Sequence, residues 1–438
     1  MARARRIRVT GAEATYLAWE LCGKPGHCGY QILLRFSGEA PDLPRLRGMV
    51  GARWGEIARM SFRLHEPGGL LPHRFRPRIY WTEDGFDPGT QVTGHRVPAG
   101  KTMREFVSEL LADPAPVAVM GWRLRLVEGY SDEEFALLLQ VHHGICDGVG
   151  ALLLIRRLLE PGLGGADGAR RAVRAIGQVS VAAPRLRRTL WPTLRTALPG
   201  SGRLPIGIVR TAERSLDWVE VPREAISAAR KTALPGLTPT ANDFYLAVVA
   251  GALRSTLLRQ GRSLPRRLYA FVPVNLRGPG EADTVGNFVS HMRIPLPVQV
   301  ASQPGRLAEV CRATRDEKAA RYAATLNLLT PVIGRFPPAV VASAVTPITV
   351  PRYTGVICTA MPPLDTPLAL AGRALLAGAG GPALVAGYGL GFALSRVRGR
   401  YTISITVGQA NQDFGGLVRE SLMEELDSYA TAETGGQA

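Results

Sequence analysis

Two adjacent histidines, His142 and His143, are followed at close spacing by Asp147 and Gly148 in the run His142-His-Gly-Ile-Cys-Asp-Gly148. Imidazole is largely uncharged yet readily protonated near neutral pH. A histidine can therefore take a proton from an attacking hydroxyl or amine and return it to a leaving group. Cys146, inside the run, is read as a small buried filler and not as a nucleophile. Histidine and aspartate are also metal ligands. Neighbouring strand histidines diverge, however, and the other five (His27, His65, His73, His95, His291) are scattered, so no metal is expected.

The flanking segments must position these groups. Phe135-Ala-Leu-Leu-Leu-Gln-Val141 is an uninterrupted apolar run and predicts a buried strand. Val149–Leu159 predicts a helix, with Asp147 placed to cap its N-terminus. Side chains alternate along a strand, so the two imidazoles are expected on opposite faces and one alone can meet a given substrate.

The chain has 438 residues, enough for more than one core, and is 46% hydrophobic and 20% charged, which excludes wholesale disorder. Five cysteines without a Cys-x-x-Cys pair imply a reducing, cytoplasmic setting, and the basic N-terminus lacks the apolar run of a signal peptide. The uncharged stretch Ala374–Ser395 is 22 residues long, but its glycines and Pro382 predict buried strands with a turn, not a membrane span. A net charge of +17 implies attraction to something anionic: a membrane surface, the phosphates of CoA, or an acidic carrier protein. Nucleic acid is not expected, because no reader motif or zinc module is present. Residues 166–215 are arginine-rich, and Leu186, Leu190, Leu194 and Leu198 recur every fourth position. That pattern predicts a basic amphipathic helix, read first as a solvated connector between domains and alternatively as a helix lying on an anionic membrane.

The spacing His-His-x-x-x-Asp-Gly between a buried strand and a helix resembles the signature of the CoA-dependent acyltransferase superfamily. Chloramphenicol acetyltransferase, peptide-synthetase condensation domains and the bacterial wax ester synthase/diacylglycerol acyltransferases belong to it. Further segments are similar to the last group, in order along the chain. They are Pro41–Arg47, Trp81–Asp87, Leu126–Gly129, the asparagine–aspartate helix start Asn242-Asp243, Phe271-Val-Pro-Val-Asn-Leu-Arg277, Gly286-Asn-Phe-Val-Ser290 and Pro367–Gly372. Two segments depart from that group: Met120-Gly121-Trp122 stands where it has Pro-Leu-Trp, and Thr359–Pro363 lacks the asparagine and first glycine of its Asn-Val-Pro-Gly-Pro loop.

The resemblance implies an α/β fold of two chloramphenicol-acetyltransferase-like halves packed side by side with a tunnel at their interface. The halves would be residues 1–165 and 216–438, joined by the connector. It implies an acyltransferase in which His143 is the general base. His142 and Gly148 would be supporting, and Asp147 would pair with an arginine, for which Arg277 is the candidate. Asn287 and Ser290 are candidates for polarising the thioester carbonyl or holding its oxyanion. Asn242 is expected to cap its helix, and Trp122 to lie in the core. No bound cofactor is expected; an acyl-CoA or acyl-carrier thioester would be the co-substrate and a hydroxyl the acceptor. The alternatives are a condensation-type enzyme with an amine acceptor and carrier-bound donor, or a non-catalytic scaffold. A cytoplasmic location, peripheral to the membrane, fits these readings.

Overall fold

The computed structural model describes residues 6–9, 11–23, 27–65, 72–76, 79–113, 121–159, 200–209, 211, 213–231, 233–320, 323, 335–348, 350–385 and 387–431. The basic helix expected around Leu186–Leu198 lies outside the described residues.

The apolar run before the histidines is a strand, β7 (Glu134–His142), buried from Phe135 onward. It sits inside a six-stranded sheet ordered β12 (Ala369–Leu370), β13 (Arg373–Gly381), β2 (Gly29–Ser37), β7, β6 (Trp122–Glu128), β5 (Val92–Arg96). Antiparallel pairing on both sides fixes its register, with His142 opposite Gly29 and Val141 opposite both Tyr30 and Trp122. A central position explains why the run is apolar without alternation: both faces are covered. A second six-stranded sheet is ordered β10 (Val289–Pro295), β9 (Tyr269–Asn275), β11 (Val356–Ala360), β14 (Leu390–Val397), β15 (Arg400–Gly408), β8 (Arg214–Val221). A small sheet of β1 (Arg6–Arg8), β4 (Tyr80–Glu83) and β3 (Phe62–Leu64) completes the set.

Each large sheet has its own core. In the first, Trp54, Trp81, Trp122, Phe36 and Phe135 are buried together, and the Trp122 indole N–H donates to the Met60 carbonyl at 2.8 Å. In the second, helix Ala241–Arg259 is apolar around most of its circumference and lies buried against the sheet and helix Gln412–Thr431. Its cap is Thr240, whose side chain accepts from the Asp243 amide while Asp243 accepts from Thr240. Asn242 is therefore not the cap; the box of Thr240, two residues before it, and Asp243, directly after it, takes that role.

The halves are interlocked. Strand β13 comes from the C-terminal part of the chain, yet it pairs antiparallel with β2 in the N-terminal sheet. A shared cluster of Leu33, Leu138, Leu216, Trp218 and Ala379 cements the contact. A cut at residue 216 thus separates the sequence but not the sheets. The stretch Ala374–Ser395 forms β13 and β14, as its glycines predicted, and among the described residues no helix is long and apolar enough to cross a membrane.

Candidate active site

Strand β7 ends at His142, and a tight turn leads into helix Gly148–Leu159. The turn is pinned at each step by backbone bonds: His142 N–H to Gly121, His143 N–H to Cys28 and Ile145 N–H to His142, all at 2.8 Å. Arg59, paired with Glu13 at 2.7 Å, donates to the Ile145 carbonyl at 3.1 Å, and the Tyr30 hydroxyl donates to the Asp147 carbonyl at 3.0 Å.

Asp147 is saturated. Its carboxylate accepts from the Gly150 amide at 2.8 Å, capping the helix, and from the Phe288 amide at 2.8 Å. Arg277 grips both oxygens, at 2.8 and 2.9 Å, and also donates to the carbonyls of Gly286 and Thr284. Both members of the pair are buried. The arginine thereby ties the histidine turn of one half to the 284–288 loop of the other. Gly150 lets that loop approach, since a Cβ there would meet Cys146 Cβ at 2.7 Å and the Gly286 backbone at 3.3 Å. With every lone pair engaged, Asp147 has no capacity left for proton transfer.

The two histidines do face opposite ways. His143 is half-buried, stacked on Tyr16 with ring centroids 4.2 Å apart and flanked by Tyr30 at 4.8 Å. Its Nδ1 faces Asn287 Oδ1 at 3.4 Å, while Asn287 Nδ2 donates to the His143 carbonyl. Asn287 thus spends both ends of its amide on His143, and Nε2 is the nitrogen left for chemistry. Burial pushes the imidazole down to about 4; Asp147 and Asn287 oppose that only in part. The ring is neutral, and able to accept a proton, throughout the physiological range.

His142 is completely buried on the other face. Its Nδ1 accepts from the Gly144 amide at 2.9 Å, and its Nε2 lies 3.5 Å from the Glu20 carboxylate. Burial favours the neutral acid at Glu20, but His142, with His27 and the Cys28 backbone, outweighs it and holds that carboxyl at about 2. Glu20, Cys28 and His142 bring three ligand atoms within 4.8 Å of one another. The chemistry of the donor set does not suit a metal. Ligating histidines donate their second ring N–H, whereas His142 Nδ1 receives one, so Nε2 carries the proton and has no lone pair to offer.

His143, Asp147 and Gly148 line a cavity between the two halves with about 870 Å³ of empty space, its open mouth included. The walls are mainly apolar, from Tyr16, Trp19 and Ile32 on one side to Phe271, Ile357 and Tyr388 on the other. A Cβ at Gly148 would meet no protein atom, so the glycine there keeps space in the cavity itself. Ser290 does not reach this wall. Its neighbour Val289 lines the cavity, and strand alternation turns Ser290 to the face of Met292 and Ile294, which lie in the C-terminal core. Asn287 is also turned away from the wall, toward His143. Cys146 is buried beside Tyr30 and its thiol is pushed up to about 12 by burial, which removes it as a nucleophile. Tyr16, Trp19 and Gln31, which do line the cavity, stand in segments with no local signal of chemistry.

The fold and site define the chloramphenicol-acetyltransferase-like architecture. A solved wax ester synthase/diacylglycerol acyltransferase from Marinobacter aquaeolei superposes with a TM-score of 0.65 at 20% identity, covering 97% of this chain and 98% of that one. The first condensation domain of the calcium-dependent antibiotic synthetase gives 0.63 at 16% identity, covering 98% and 97%. In sequence, residues 10–277 match the wax ester synthase/diacylglycerol acyltransferase catalytic domain, and residues 285–427 match the C-terminal domain of the same enzymes. The chain belongs to the wax ester synthase/diacylglycerol acyltransferase family. A Mycobacterium tuberculosis protein named as a diacylglycerol O-acyltransferase is 29% identical over 280 residues, which is 57% of this chain and 60% of the relative. The matched segment thus spans about three fifths of that relative.

Proposed function

We propose that this protein transfers an acyl group from a thioester to a hydroxyl, with His143 as general base. The observation that carries the reading is a neutral imidazole, fixed through Nδ1 by Asn287, on the wall of an apolar cavity shared by both halves. Nε2 takes the acceptor proton as the oxygen attacks the thioester carbonyl. The C–S bond then breaks, and the imidazolium returns the proton to the departing thiolate. General-base help of this kind supplies about 10²- to 10⁴-fold, and positioning supplies much of the rest. The positive end of helix Gly148–Leu159 opens at the cavity wall and favours the negative charge that develops on the carbonyl oxygen. Asp147, Arg277 and His142 hold the turn. Asn287 is assigned to positioning His143, in place of the oxyanion role expected from sequence, and Ser290 is left with neither.

Family membership favours an acyl-CoA donor and a lipid hydroxyl as acceptor. A starter condensation domain of rhizomide synthetase, described in complex with C8-CoA, shares the fold with a TM-score of 0.58 and supports a CoA thioester as donor. The net charge of +17 suits CoA phosphates, and equally an acidic carrier or an anionic membrane to which the protein would bind peripherally. An amine acceptor with a carrier-bound donor is the second reading, favoured by the likeness to condensation domains. A screen of acyl-CoA and carrier-loaded donors against alcohols and amines, read by thiol release, tests the proposal. Acceptor-dependent release from acyl-CoA with alcohols is expected; release only from carrier-loaded donors with amines would give the second reading.

A further inference from the structure

We infer that Gln31 and Trp19 form a polar subsite in the apolar cavity, reading a hydroxyl or amide group that a substrate carries in addition to its reacting group. The inference rests on the acyl-transfer reading and names the substrate class for that site. Gln31 lies on β2, 1% exposed, in register with Gly381 of β13 and Gln140 of β7. Its Nε2 donates to Thr406 Oγ1 at 3.4 Å, a long bond, and its Oε1 finds no hydrogen-bond partner among the described residues. Turning the amide end for end exchanges the two atoms but still leaves one end unpaired. Trp19, 4% exposed, has an indole N–H that likewise finds no partner among the described residues. Both residues line the cavity that His143 lines.

The place of the carboxamide is built into the wall, because a Cβ at Gly381 would collide with it. Several other polar groups around the cavity are spent within the protein. The Tyr30 hydroxyl is bound to the Asp147 carbonyl, the Tyr388 hydroxyl to Thr354, and the Asp147 carboxylate to Arg277. Burying a polar group without a partner is costly, and sites that do so reject ligands unable to supply the bond. A plain alkyl chain supplies nothing. A hydroxyl both donates and accepts, so it can supply the bond missing at the carbonyl oxygen of Gln31 or at the N–H of Trp19. That group belongs either to the acceptor, as a second hydroxyl on a diol or glyceride, or to the donor, as a β-hydroxyacyl chain.

Calorimetric binding of one substrate at a time separates these sources without needing turnover. The matched pairs are a medium-chain vicinal diol against the primary alcohol of equal length, and a β-hydroxyacyl-CoA against the plain acyl-CoA. In one pair the hydroxylated member should bind about ten- to a hundredfold more tightly. Gln31→Leu, close in volume, and Trp19→Phe, which removes the indole N–H together with part of the ring, should each shrink that ratio. Preference for the diol assigns the subsite to the acceptor, and preference for the β-hydroxyacyl chain assigns it to the donor. Equal affinities within both pairs, no binding by any of the four ligands, or a preference untouched by both variants would overturn the inference. Loss of thiol release in the donor–acceptor screen would instead sink the acyl-transfer reading, leaving the binding ratio measurable.

Discussion

The two faces of β7 at its end carry the same side chain into opposite surroundings. Behind the strand, His142 has the Glu20 carboxylate 3.5 Å from its Nε2, with His27, Cys28 and Arg214 close by, in a closed polar cluster. In front, His143 stands in an apolar cavity between aromatic rings, with one nitrogen held by Asn287 and the other left for chemistry. The pair teaches that residue type does not decide the role. Alternation puts one imidazole where its bonds fix the turn and the other where an unspent nitrogen meets empty space.

The comparison breaks most sharply where the turn is anchored. Asp147→Ala or Arg277→Met leaves a buried charge unpaired and should cost about 3–5 kcal/mol of stability, with lower folding yield. Chemical denaturation measures this, and a variant of normal stability that merely lost turnover would show that the pair is not structural. Next comes Asn287→Ala. Removing the two bonds to His143 should lower kcat by about ten- to a hundredfold. Because Asn287 accepts from Nδ1–H and so favours the cation, its loss should also move the acid limb of the rate profile to lower pH; a limb that stays put would deny the positioning role. The acid limb of the wild-type protein itself should fall near pH 4, well below the ordinary imidazole value near 6.5, since only the neutral ring is a base.

Stability should also depend on pH. Burial holds His143 at about 4 and His27 and His291 at about 3 in the folded chain. The unfolded chain takes up protons first as pH falls through about 6.5, so this stability is complete above that value and is lost progressively toward the folded values. Thermal melts between about pH 7.5 and 5 should show a falling Tm; a flat profile would mean that these rings are solvated.

Much of this frame was legible in the sequence because it is local. The apolar run, the capping aspartate and the following helix follow from periodicity, and the glycines of Ala374–Ser395 ruled for strands over a span. The Thr240-x-x-Asp243 box was legible too, although the neighbouring Asn242 drew the assignment. What lay beyond reach is tertiary. Nothing local says that β13 crosses to pair with β2, or that Tyr16 stacks on a histidine more than a hundred residues away. The Asp147–Arg277 pair, 130 residues apart in sequence, came from family resemblance alone. Ser290 was misplaced because a motif conveys spacing, while the parity of a strand decides which face a side chain joins.

The most direct test sets the two histidines against each other. Thiol release from acyl-CoA with an alcohol acceptor should fall by about 10²- to 10⁴-fold in His143→Ala, with the thermal melt little changed. His142→Ala should lose thermal stability but keep the larger share of its turnover. The opposite pattern, turnover surviving in His143→Ala and vanishing in a stable His142→Ala, would contradict the account.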